Sequence, residues 1–255
     1  STEAATRYHA VVETLKRESR FSDWRGFIRG GIWQNFLAKY TEADRMHKRM
    51  IAISDRLDRL RQLPEQRGFL DSADHALFHA QTALYRAQCN DAFWHGLFGG
   101  LYLTNLRMQT WRHLLIAEAA LDQLDPPDGT PEWFDIDLDG RAECTIANAQ
   151  LTVLVAPHRG GSITELSSKT HHFNLTDTLA RRPEQYHASL LAPDGAQQND
   201  EPKSIHDIHE VKEAGLERLL VYDDSAFALF RDRFIDPRDD GTAFFSQGCL
   251  ANLDR

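Results

Sequence analysis

Cysteine is scarce in this chain and badly placed for pairing. Only Cys89, Cys144 and Cys249 occur in 255 residues, far apart and odd in number. That excludes a disulfide framework and points to a reducing, cytoplasmic setting. No CxxC pair exists, which argues against a zinc ribbon. No apolar run is long enough to cross a membrane. The first residues, "STEAATRYHAVVETLKRES", lack the apolar core of a signal peptide. Basic residues are in deficit, with 29 Lys and Arg against 38 Asp and Glu, a net charge of −9. A nucleic-acid partner draws most of its affinity from phosphate neutralisation. No basic stripe is present to supply it. The glycines of "RGGIWQNF" and "HRGGS" lack phosphate-loop spacing, and no GxSxG elbow occurs. There is no internal repeat and no low-complexity segment.

What is there belongs with soluble globular proteins, at 42% hydrophobic and 26% charged residues. The first half reads as helix. An amphipathic N-terminal helix puts Ala5, Tyr8, Val11, Val12 and Leu15 on one side. "TEAD" at 41–44 matches a capping box ahead of Ala43, Met46, Met50, Ile53, Leu57 and Leu60 at helical spacing. "LPEQRG" breaks that run. A second helix starts near "DSAD" at 71, with Ala73, Ala76, Leu77, Ala80, Ala83 and Leu84 as its stripe, and a third spans about Thr104 to Leu124.

The composition then changes. "DPPDGTPEW" at 125–133 holds three of the nine prolines and reads as a linker. Beyond it "FDIDLDGRAECTIANAQLTVLVAP" alternates apolar and polar residues around an Asp-Gly turn at 139–140. "GGSITELSS", "LERLLVYDD" and "RDRFIDPRDDGTAFFSQ" read as further strands. The expected fold is multi-domain α and β: a helical bundle over 1–124, a linker over 125–133, and an antiparallel β-sandwich over 134–255.

The densest chemistry lies in "YRAQCNDAFWHGLFGG" at 85–100. On a helix Asn90, Trp94 and Phe98 are four apart, as are Asp91 and His95, and together they form one stripe. The three glycines suggest a helix end or tight packing. One reading is a pocket wall, with an indole for the C–H face of a pyranose ring and Asp, Asn and His for vicinal hydroxyls. The other is a buried Asp-His or Asn-His network that ties helices together, with Trp94 in the core. "HDIHE" at 206–210 does not supply the three or four converging ligands a metal needs, and "HH" at 171–172 reads as loop or edge. No metal centre and no cofactor are expected.

Several motifs resemble one family. "RAQCNDAFWHGLFGGLYLTNLR" is similar to the last signature region of glycoside hydrolase family 57, the α-amylases and 4-α-glucanotransferases. "RGGIWQNFLAKYTEADRMHKRM" resembles the segment that opens that family's helical domain. "GGSITELSSKTHHFNLTDTLARRPEQYH" and "SIHDIHEVKEAGLERLLVYDD" resemble the start of its β-sandwich. The resemblance implies a retaining mechanism on α-1,4-glucans, with a Glu nucleophile and an Asp acid/base on a (β/α)-barrel. No counterpart of those signature regions is found here, so no catalytic residue is assigned. The chain is expected to be the non-barrel portion of such an enzyme, ending before the sandwich is complete and inactive by itself. The resemblance makes Asp91 and Trp94 substrate-binding candidates, with Asn90 and His95 beside them and Trp33, in the other motif, as a weaker one. The expected partners are an α-glucan or maltooligosaccharide, the catalytic barrel, and a second copy of the chain in a homodimer through the uncovered face. The alternative is a non-catalytic carbohydrate-binding or interaction module.

Overall fold

A computed structural model describes residues 2–28, 31–62, 70–95, 99–184, 187, 220–223 and 225–232. The chain forms two compact units, one from Ser1–Lys39 with Ala180–Asp223, the other from Tyr40–Leu179 with Asp224–Arg255.

The first unit holds α1 (Thr2–Arg17), α2 (Phe21–Trp24) and α3 (Trp33–Lys39). On α1 Val12 is buried and Leu15 half-buried, while Tyr8 and Val11 are exposed, so only part of the expected apolar side is covered. Ser19, at φ 56°, turns the chain after α1. In the same unit Arg181 forks onto Asp223, with Nη2 2.5 Å from Oδ1. The backbone N–H of Arg181 also donates to Asp223 Oδ2 at 2.7 Å. The Arg181 hydrogen bond holds the Asp223 carboxyl below its ordinary range.

The second unit packs three long helices with a sheet. α4 (Thr41–Gln62) starts where the capping signal predicts. Ala43, Met46, Ile53, Leu57 and Leu60 are buried, and Met50 is half-buried. α5 (Leu70–Ala87) turns the alanines Ala73, Ala76, Ala80, Ala83 and Ala87 inward. Small side chains allow close approach, and α5 makes its main contacts with α6 (Thr104–Leu121). α6 buries Trp111, Leu114, Leu115, Ala117, Ala120 and Leu121.

Five strands follow: β1 (Glu132–Phe134), β2 (Glu143–Ala147), β3 (Leu151–Ala156), β4 (Ser162–Ser168) and β5 (Phe173–Asn174). They form one antiparallel meander in sequence order. A register shift at Leu154/Val155 marks a bulge between β3 and β4. Leu229 adds an isolated bridge to Ile163. The fold is therefore helical and then antiparallel β, as the composition shift predicts. His171 and His172 sit in the β4–β5 turn.

Two local expectations change. Residues 134–142 do not continue as an alternating strand: β1 stops at Phe134 and 135–142 form a loop. Both oxygens of Asp135 accept backbone N–H groups, from Asp139 at 2.9 Å and Gly140 at 2.8 Å. Aspartates that bond nearby backbone compete with strand pairing. Of "LERLLVYDD", the described residues 220–223 carry no strand. "HDIHE", Cys249 and the run after 232 lie outside the described residues.

The seam between helices and sheet in this unit is ionic. Buried Arg49 on α4 places Nη2 2.9 Å from Glu118 Oε2 on α6. Its Nε lies 2.9 Å from Glu165 Oε2 on β4, an ion-pair contact without hydrogen-bond alignment. Thr152 donates to Glu118 at 3.3 Å, and Ser167 to Glu165 at 2.8 Å. Lys169, also buried, reaches Asp122 at 2.6 Å. Burial disfavours the Arg49 charge, but its two carboxylate partners outweigh that and raise its pKa.

Candidate functional site

The sequence candidates sit on the connection from α5 to α6. α5 ends at Ala87, and Asn90–Phe93 form one 3₁₀ turn. Ala92 and Phe93 are its buried anchor. Trp94 is fully extended, at φ −161° and ψ −178°. The predicted helical stripe is therefore absent. A 3₁₀ turn repeats every three residues, and the chain leaves it at Trp94. Asn90 and Asp91 are exposed, and Trp94 keeps 50% of its surface in solvent. Trp94 is thus not a core residue, and Asp91 is not part of a buried network. Gly96 and Phe98 lie outside the described residues.

Close backbone packing holds the turn. The N–H of Leu101 donates to Trp94 O at 2.8 Å, closing a loop over 94–101. Gly100 has φ +51°, and a Cβ there would lie 2.1 Å from Trp94 O and 2.2 Å from His95 O. Only glycine fits. Leu101 is fully buried, and buried Arg107 of α6 donates to its carbonyl at 2.7 Å. Arg107 is itself held by Asp177, with Nε 3.0 Å from Oδ1.

His95 belongs to a ring cluster. Its imidazole lies 4.9 Å from the Tyr40 ring, edge to face, and 5.0 Å from the Tyr102 ring. The two tyrosine hydroxyls are 3.1 Å apart. Tyr40 and Tyr102 were not identified from the sequence. Tyr102 stands seven residues after His95 in the same motif and Tyr40 stands in the other, so position alone did not mark either as a neighbour of the imidazole. Cys89 donates to Asp91 Oδ2 at 3.5 Å on the exposed side. Trp33, on α3, is 44% exposed and belongs to the other compact unit. The turn thus offers solvent one indole, one carboxylate and one amide on a rigid base. Such a set suits a neutral polyhydroxy ligand: the ring stacks and the polar groups take hydroxyls.

One further cluster was missed. Asp135, Asp137 and Glu143 each offer a ligand atom within 4.8 Å of the others, and so do Asp139, Glu143 and His158. Read as an alternating strand, "FDIDLDG" sends its aspartates to solvent. The loop instead gathers them beside Glu143. Burial, reinforced by the charges of Asp137 and Asp139, pushes the Glu143 carboxyl up against the opposing Ile136 hydrogen bond.

A helical region followed by an antiparallel sheet, with a solvent-facing aromatic and polar turn between α5 and α6, defines a mixed α and β class among the described residues. The comparisons narrow this class. Residues 31–121 match the model of the α-amylase/4-α-glucanotransferase middle domain, and residues 135–249 that of its C-terminal domain. The 4-α-glucanotransferase of Thermococcus litoralis is 39% identical over 229 residues, covering 89% of this chain and 31% of that protein. The α-amylase of Pyrococcus abyssi is 39% identical over 231 residues, covering 89% of this chain and 32% of that protein. The crystal structure of the Thermococcus litoralis enzyme superposes with a TM-score of 0.69 at 35% identity, over 97% of this chain and 32% of that one. The chain belongs to the α-amylase/4-α-glucanotransferase family of glycoside hydrolase family 57, through its middle and C-terminal domains. It spans about a third of the length of the relatives it matches.

Proposed function

We propose that this chain is the portion of a retaining α-1,4-glucan-processing enzyme that completes the substrate cleft, with the carboxylate pair supplied by a barrel outside it. The helices within Tyr40–Leu179 carry the proposed wall, and the sheet of the same unit meets α6 through β5. The observation that carries the reading is the Asn90–Trp94 turn. It presents an indole and two polar side chains to solvent, on a backbone fixed by Gly100 and Arg107.

In the retaining chemistry of the family a carboxylate attacks the anomeric carbon and an acid protonates the leaving oxygen. The glycosyl-enzyme ester then passes to water or to another sugar hydroxyl. The role proposed here is upstream of those steps. Trp94 stacks on a glucose ring, Asp91 and Asn90 take its hydroxyls, and His95, held between two tyrosines, shapes the base of the wall. Trp33, in the other compact unit, is a weaker candidate taken by itself.

The test uses the purified chain with maltoheptaose. Transglycosylation and hydrolysis are followed by product chromatography, and binding by titration calorimetry. No turnover is expected, with weak binding or none. Turnover by the purified chain would overturn the placement of the chemistry. Tight binding that Trp94→Ala abolishes would favour a free-standing sugar-binding module instead.

A further inference from the structure

We propose that the β1–β2 loop holds a calcium ion, bound by Asp135, Asp137 and Glu143. The argument starts from Glu143. Its side chain is 3% exposed at the base of β2. Its Oε2 accepts from Ile136 N at 3.0 Å, while Oε1 is buried with no hydrogen-bond partner. An unpaired buried carboxylate oxygen is costly. Here it points into a group of like charges, which makes matters worse unless a cation joins them. Asp137 Oδ1 and His158 Nε2 are likewise buried and unpartnered, on the same side.

The geometry suits a hard cation. The ligand atoms within each trio lie within 4.8 Å of one another. Two oxygens that share one calcium at about 2.4 Å can be no further apart than about 4.8 Å. Asp135, Asp137 and Glu143 offer three carboxylates, the ligand type that calcium prefers. The loop is already wound: Asp135 caps two backbone N–H groups, Leu138 has φ 58° and Gly140 φ 90°.

Arg159 compensates only in part. Its Nη2 lies 2.8 Å from Asp137 Oδ2 and 3.4 Å from Asp139 Oδ2. That leaves Asp137 Oδ1 and Glu143 Oε1 for the ion. His158 Nε2 lies 3.6 Å from Glu143 Oε1 and 3.5 Å from Asp139 Oδ2. The ion would tie the β1–β2 loop to Glu143 at the start of β2, so its effect is on stability.

The test strips the purified protein with EGTA and titrates it with calcium chloride by calorimetry. One calcium per chain is expected, with a Kd between about 10⁻⁶ and 10⁻³ M. At saturation the melting temperature should rise by about 5 °C, with little change from magnesium. Asp135→Asn and Asp137→Asn should each weaken calcium at least about tenfold with unchanged circular dichroism. The proposal is overturned if the stripped protein shows neither calcium heat nor a thermal shift, or if both variants bind calcium as before. It is also overturned if zinc binds more tightly than calcium and His158→Ala abolishes that binding.

Discussion

At Gly100 a Cβ would sit 2.1 Å from the carbonyl oxygen of Trp94, and φ is +51°. Backbone on both sides is fixed, by the Leu101–Trp94 bond and by Arg107 on the Leu101 carbonyl, so nothing flexible can yield. Gly100→Ala is expected to cost at least about 2 kcal/mol, from the left-handed conformation and the clash together. Gly26→Ala, with nothing within 4 Å and no positive φ, should be neutral by the same measure. Urea unfolding of the two variants checks the contrast; equal midpoints would mean that the 94–101 loop is not closed as described. The glycine cluster was legible in the sequence as a sign of close packing. The ring cluster was not, because Tyr40 and Tyr102 reach His95 only through the tertiary fold.

Among the elements, the ionic seam joins α4, α6 and β4 through Arg49. Burial alone would raise the pKa of Glu118, but Arg49 and Lys169 outweigh it and hold it below its ordinary 4.5. The stability it contributes is therefore present above about pH 4.5 and lost as pH falls below it. Glu165 runs the other way. Burial dominates there, the Glu118 charge adds to it, and the pKa is raised despite Arg49. Relative to the unfolded chain the fold favours protonation there, so its contribution declines as pH rises from about 4.5. Glu118→Gln should cost about 3–5 kcal/mol at pH 7, because Arg49 and Lys169 lose a buried partner. The gap to the parent should narrow below about pH 4.5. Unfolding midpoints from pH 3.5 to 7 check this, and a gap that widens in acid would contradict the assignment. The helices themselves were legible from their apolar spacing. Arg49 was not, since a charged residue inside such a pattern reads as solvent-facing. The 135–142 loop was misread for a related reason: alternating Asp and apolar residues satisfy the strand pattern, while the Asp135 carboxylate bonds its own backbone.

For the whole molecule, the question is which step the 90–95 turn serves. The chain spans about a third of its relatives, and none of its residues is assigned to bond cleavage. A wall that grips a sugar equally in the ground and transition states changes KM and not kcat. Trp94→Ala, placed in the full glucan-processing enzyme proposed here, should raise KM for maltoheptaose about 10–100-fold, the loss of about 1.4–2.8 kcal/mol of stacking, with kcat nearly unchanged. Trp94→Phe, which keeps a flat apolar face, should recover most of that loss. Asp91→Ala should act in the same direction and more weakly, because an exposed carboxylate already has water as a partner. Steady-state kinetics on the three variants, with circular dichroism to confirm the fold, decide the matter. A fall in kcat at constant KM would mean that Trp94 acts in the chemical step. The turn would then belong to the reacting centre itself, and the division of labour between this chain and the barrel would have to be redrawn.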